Sequence, residues 1–187
     1  GLLRKLRVQV SGLPGHGQQR EQGVVRLGHG ARPGVDELLT HMKLQKLIYY
    51  AQAWHLGNFG EPLFDGRFEA WTHGPVCPEI YHEYKQYQNK EISYPNQDVC
   101  DSATGCLSDI AAKLPEEICG FLNSIADDYM NFTAYQLRAM SHKENPWMEA
   151  SKGQDEITVD SMLRYYSELV IEEKELAEIE AAHRAIQ

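Results

Sequence analysis

Two side chains that could do chemistry stand close together in the sequence, His73 and Cys77, with His82 following. A cysteine beside an imidazole can act as a nucleophile, and His and Cys are common ligands of zinc. Glycine and proline interrupt this stretch, so helical spacing does not apply, and no further Cys or acidic pair completes a recognisable ligand set. Pro78 also lacks a backbone amide that an oxyanion site could use. We therefore predict no catalytic residue, no metal and no cofactor, with a small metal-dependent or Cys-dependent hydrolase as an alternative.

The overall charge argues against a nucleic-acid partner. The chain of 187 residues has a formal net charge of -9 and a pI near 5.3, so a phosphate backbone would be repelled. No apolar run approaches the roughly 20 residues that cross a bilayer. The four cysteines have no paired CxxC spacing, which favours reduced thiols. These features predict a cytoplasmic protein with no membrane contact.

A central helix over residues 42–56 must position any site. Thr40 offers an N-cap hydroxyl, and Gly57–Gly60 offers a left-handed end. Polar residues stand between apolar ones, which is typical of a helix with one buried face, although Tyr49 and Tyr50 widen the apolar side and predict burial on more than one flank. The apolar residues at helical spacing are Leu44, Leu47, Ile48, Ala51 and Trp54.

The remaining pattern predicts a mainly α (α+β) fold, a compact helical domain with a small β-hairpin. Residues 62–71 suit a hairpin because Asp65–Gly66 matches a primed two-residue turn. Helices are expected from Pro78 to Tyr87, from Glu116, after Thr133 until residues 145–147, and from Thr158 or Asp160; residues 89–113 are expected to form a long loop.

Three segments follow from composition. Residues 1–34 are expected to form a loose Gly- and Arg-rich leader that does not match the rest, with a native disordered leader and a misassigned start both left open. Residues 35–170 form the domain, and residues 171–187 form a Glu- and Ala-rich helical tail that projects or pairs with a partner or a second copy in a homo-oligomer.

Aromatic side chains with polar tips are more numerous around residues 71–84 than a small core needs. Such residues bury a large area while few rotatable bonds are fixed, so they suit protein recognition. A strand end and a helix start converge there beside a Gly-Pro turn. We predict a partner-binding face formed by Trp71, His73, Tyr81 and Tyr84.

The chain also resembles a known family, the Panacea domain, described as SocA-like or phage-associated GepA-type. The first group of motifs is MKLQKLIYYAQAWHL at 42–56, GEPLFD at 60–65, EAW at 69–71, HGPV at 73–76, and IY at 80–81 with Tyr84. The second is FTAYQL at 132–137, SH at 141–142 and NPW at 145–147. The resemblance covers about residues 36–170, with both groups in the order typical of the family.

This resemblance implies a mostly helical, non-enzymatic antitoxin of a bacterial or phage-associated toxin–antitoxin system, which neutralises a cognate toxin by direct protein contact. It leaves one alternative open: the SocA branch acts as an adaptor that delivers its toxin to the ClpXP protease. Residues 1–34 depart from the family, which has an amphipathic helix before the Lys-Leu-Gln-Lys motif, and a shifted reading frame would explain the difference.

Overall fold

The computed structural model describes residues 39–92, 114–153 and 155–186. Its first helix, α1, spans His41–Phe59. The Thr40 hydroxyl accepts a hydrogen bond from the Lys43 amide at 3.3 Å, and Gly60 closes the last turn with φ of +75°. Both ends carry the local signals that the sequence indicated, so the predicted limits of this helix are confirmed.

Helix α1 is buried on nearly all sides. Fifteen of its nineteen residues are buried, and it contacts helices on several flanks together with the small sheet. Burial on more than one flank is therefore confirmed. The polar residues between the apolar ones are also enclosed, at 2% exposure or less: Lys43, Gln45, Lys46 and Gln52. A buried polar group needs a partner, so these side chains must bond to other elements.

A three-stranded antiparallel sheet forms within the described residues from β1 (Phe68–Trp71), β2 (Gly74–Val76) and β3 (Glu156–Ile157), in the order β2-β1-β3. Trp71 pairs with Gly74, so the hairpin turn is Thr72–His73. The predicted turn at Asp65–Gly66 is wrong, and so is a hairpin confined to residues 62–71.

Gln52 explains why the earlier segment is not a strand. Its Oε1 accepts hydrogen bonds from the Leu63 and Phe64 amides at 3.0 and 3.2 Å, and its Nε2 donates to the Phe64 carbonyl at 3.1 Å. One buried amide therefore satisfies the backbone groups that a neighbouring strand would otherwise bond. Local turn signals could not reveal this partner.

The described residues form five further helices. They are α2 (Pro78–Tyr84), which continues as a 3-10 turn over Lys85–Tyr87, α3 (Glu116–Tyr129), α4 (Ala134–Ser141), α5 (Asn145–Ala150) and α6 (Val159–Ile186). Thr133 and Gln136 form a reciprocal capping box at the start of α4, which confirms Thr133 as its cap. The sequence prediction missed α5 and β3.

Helix α6 packs on α1 with its first half and extends beyond the core with its second. Two apolar residues of that second half, Leu176 and Ile179, are more than half exposed, and so is Ile171 just before it. Pairing with a second copy stays a prediction. The leader and residues 93–113 of the expected loop lie outside the described residues. None of the helices described here is both long and apolar enough to cross a bilayer.

Gly74 provides a direct test of the packing between α1 and the hairpin. A Cβ there would lie 2.8 Å from Lys46 Cε and 3.0 Å from Ser141 Oγ, and φ is +92°. Gly60 shares the positive φ but has nothing within 4 Å. We expect Gly60→Ala to cost about 1–2 kcal/mol from backbone strain alone, and Gly74→Ala to cost about 1–3 kcal/mol more from overpacking. Urea unfolding of both variants measures the difference, and equal losses would contradict the packing argument.

Candidate partner-binding site

Three of the four predicted contact residues lie together at the outer end of the hairpin. Trp71 is 36% exposed, His73 in the turn is exposed, and Tyr81 on α2 is half-buried. The Trp71 and Tyr81 ring centroids are 4.7 Å apart, and Tyr81 also contacts the His41 ring at 5.0 Å. We call Trp71, His73 and Tyr81 the aromatic surface.

Tyr84 is not part of the aromatic surface. It is only 1% exposed and lies in the core on the same side of α2 as Ile80. Tyr81 is one residue beyond Ile80, which turns its side chain by about 100° around the helix toward solvent. Spacing placed these tyrosines near each other but could not determine which side of a short helix is covered.

Side chains from three other elements bond to backbone carbonyls at the hairpin turn and in the strands beside it. Trp147 Nε1 donates to the Trp71 carbonyl and Arg138 Nη2 donates to the Thr72 carbonyl, both at 3.3 Å. Lys46 Nζ donates to the Pro75 carbonyl at 2.7 Å. Because α1, α4 and α5 each contribute one bond, the aromatic surface is held in place before any partner binds, which lowers the ordering cost of binding.

An open cleft of about 650 Å³ runs beside the turn. Two of its lining residues are bonded to each other: Trp71 Nε1 donates to Glu69 Oε2 at 2.7 Å. Glu69 also pairs with Arg67 at 3.3 Å. Its lining combines rings, carboxylates and backbone: Glu69, Ala70, Trp71, Thr72, His73 and Asp155. This mixture suits a peptide or protein surface better than a small apolar molecule.

The residues considered for nucleophilic chemistry lie in different environments. Cys77 is fully buried and its thiol donates to Glu79 Oε2 at 3.2 Å, whereas His73 is exposed. Burial raises the pKa of the Cys77 thiol to about 12, so the reactive thiolate is disfavoured. In the described part of the chain, no group of three or more His, Cys, Asp or Glu is placed to hold a metal ion.

Beneath this surface lies a polar network that the sequence did not reveal. The Glu144 carboxylate accepts hydrogen bonds from Tyr49 at 3.1 Å, Tyr50 at 2.9 Å and Tyr166 at 2.8 Å. Burial raises the pKa of Glu144, while the three hydroxyls partly offset that rise. The only possible signal was the tyrosine pair in the central helix, since nothing in the sequence marks Glu144 as their partner.

The network continues through aromatic rings to α3. Tyr50 stacks on Tyr129 with centroids 4.3 Å apart, and Trp54 Nε1 donates to the Tyr129 hydroxyl at 2.7 Å. Most of the tyrosine and tryptophan content of α1 is thereby used inside the domain. The fold and site together define a mainly helical protein with an exposed aromatic surface and a buried carboxylate bonded to three tyrosine hydroxyls.

Comparison with known proteins identifies the family. Residues 44–148 match the family model described as antitoxin SocA-like, Panacea domain, and the chain belongs to this family. It is 30% identical over 121 residues to the antitoxin SocA of Caulobacter vibrioides (strain NA1000 / CB15N). That match covers 64% of this chain and 63% of the length of the Caulobacter protein. No solved structure matches the chain. The resemblance drawn from the two groups of motifs is confirmed.

Glu144 yields a stability prediction. Glu144→Ala removes the acceptor of three tyrosine hydroxyls, and since each unpaired buried hydroxyl costs about 1–3 kcal/mol, we expect a loss of about 3 kcal/mol or more. Glu144→Gln, which keeps one acceptor oxygen, is expected to lose less. Urea unfolding near neutral pH measures both losses, and a Glu144→Ala variant as stable as the wild type would contradict the network.

The difference in stability between the wild type and Glu144→Gln is expected to depend on pH with a definite sign. Because the pKa of Glu144 is raised in the folded state, the folded protein retains a proton that the unfolded chain releases. The stability of the wild type relative to Glu144→Gln should therefore fall as the pH rises above 4.5, the ordinary glutamate value. A difference in unfolding free energy that grows in the opposite direction would show that the hydroxyls dominate over burial.

Proposed function

We propose that this protein is the antitoxin of a toxin–antitoxin pair, acting in the cytoplasm by binding its cognate toxin directly through the aromatic surface. Membership of the antitoxin family supplies the class of function. The observation that carries the finer proposal is the position of Trp71, His73 and Tyr81, which stay accessible while the rings of the motif at 42–56 are buried.

The geometry of the aromatic surface supports recognition of a protein. Trp and Tyr are over-represented among the residues that dominate binding energy, and a surface fixed before binding loses little entropy in the complex. The turn that carries Trp71 and His73 is bonded by Lys46, Arg138 and Trp147. Neutralisation by masking requires no bond to be made or broken, in keeping with the protonated, enclosed thiol of Cys77.

Delivery of the toxin to a protease such as ClpXP is the second mode by which this protein could neutralise a bound toxin. The exposed second half of α6 offers a protease-facing segment that is separate from the aromatic surface. Following both proteins after translation is stopped separates the two modes. An adaptor persists while its toxin disappears, whereas masking leaves the amount of toxin unchanged.

The neighbouring reading frame provides the test of antitoxin activity. Its product, expressed alone, is expected to stop growth, and co-expression of this chain is expected to restore growth. Copurification of the two proteins measures direct contact. Growth arrest that persists despite co-expression would remove the proposal for that pair.

Tyr81→Ala is the variant that tests the aromatic surface, and Tyr135→Ala is its matched control. Tyr135 is 69% exposed on α4, so its removal is also a loss of one accessible ring. We expect Tyr81→Ala to weaken toxin binding about 30-fold or more, the scale of a hot-spot residue, and Tyr135→Ala to leave it nearly unchanged. Calorimetric titration measures both affinities, with thermal unfolding to verify folding. Equal effects of the two substitutions would remove the aromatic surface from the interface.

A further inference from the structure

Three basic side chains gather behind the hairpin turn without an acidic partner. Lys46, Arg138 and His142 come from α1, from α4 and from the residue after α4, and their charges interact. In the part of the chain that the structure describes, no carboxylate forms an ion pair with any of them. Glu69 lies beside the turn but is already bonded to Arg67 and Trp71.

Two polar atoms of this basic cluster are left without hydrogen-bond partners among the described residues. They are Arg138 Nε and His142 Nε2, both enclosed by protein. Buried polar atoms in native proteins are nearly always bonded, so two exceptions in one cluster indicate that it bonds a group that the described residues do not supply. His142 is fixed by stacking on Trp147 with centroids 3.8 Å apart, so its ring is already oriented for an incoming group.

The buried amine of Lys46 also favours a negatively charged group in this cluster. The side chain is 1% exposed, and burial, followed by repulsion from Arg138, lowers the pKa of its ammonium to about 7. A buried ammonium is costly when unpaired, and an adjacent negative charge offsets that cost. Arg138 itself is half-buried and bonds the Thr72 carbonyl at the surface, so it connects the cluster to solvent.

We infer that the basic cluster of Lys46, Arg138 and His142 receives a carboxylate from an acidic side chain of the protein partner, beside the aromatic surface. The inference rests on the proposed function and names the chemistry that the partner must present. Arg138 makes the first contact, because its guanidinium fork matches a carboxylate. Phosphate of a nucleic acid is disfavoured because the whole chain carries a net charge of -9.

The test compares Arg138→Gln with Arg164→Gln, which removes the same charge from an exposed site on α6. The probe is the purified product of the neighbouring reading frame, used after its binding to the wild-type chain has been measured. We expect Arg138→Gln to weaken binding about 10- to 100-fold and Arg164→Gln to change it less than about 2-fold, since a charge-assisted hydrogen bond is lost only in the former. Binding unchanged by Arg138→Gln would overturn the inference while leaving the antitoxin function intact.

Two further measurements identify the acid. Arg138→Glu should abolish binding, and replacing one acidic residue of the partner by Lys should restore it; absence of any restoring position would overturn the inference. The affinity of the wild type should fall with increasing salt, and a flat salt dependence would also overturn it, which keeps the test decisive if Arg138→Gln fails to fold.

Two alternative occupants give different results. If Arg138→Gln lowers thermal stability far more than Arg164→Gln but leaves affinity unchanged, an acid of this chain itself fills the cluster. If the wild type binds a labelled duplex DNA and Arg138→Gln does not, the acceptor is a phosphate. Either result would replace the proposed carboxylate of the partner.

Discussion

The fold depends on one constraint: a helix buried on all sides has no water with which to satisfy its polar side chains. The four polar residues of α1 with 2% exposure or less, Lys43, Gln45, Lys46 and Gln52, each bond a backbone group on another part of the chain. Lys43 bonds the Met130 carbonyl, Gln45 the Cys77 amide and Gln52 the backbone of residues 63 and 64. These bonds stabilise the loop after α1, the start of α2 and the end of α3 at once.

The same constraint explains the balance of energies around Glu144. An isolated carboxylate in such surroundings would be strongly disfavoured, and three tyrosine hydroxyls reduce that penalty without adding a second charge. Removing one side chain of this network is expected to cost more than its hydrogen bonds contribute to net stability, because the remaining buried polar groups are left unpaired. The network thus joins α1, α6 and the residue before α5 through one carboxylate.

The sequence predicted those features whose signals are local. Thr40, Gly60, Thr133 and Pro78 act within one turn of their own position, and the helix ends they indicate are present. The hairpin was misplaced because its position depends on Gln52, eleven residues from Leu63, and not on the Asp65–Gly66 dipeptide. Of the predicted contact residues, Trp71 and Tyr81 lie side by side. Tyr84 and Glu144 could be placed only by tertiary contacts: Tyr84 in the core, and Glu144 against three tyrosines from two helices.

Most of the motif by which the family was recognised therefore serves the fold and not the partner. Lys46 bonds the Pro75 carbonyl, and Gly74 leaves room for the Lys46 side chain. Gln45 bonds the amide of Cys77, directly after the HGPV segment. These contacts join the KLQK segment of α1 to the hairpin. Residues committed to such contacts cannot be replaced without loss of stability. In the proposed complex, specificity is therefore expected at residues that reach the surface: at Trp71, His73 and Tyr81, and at Arg138, which bonds the Thr72 carbonyl but takes no part in the apolar core.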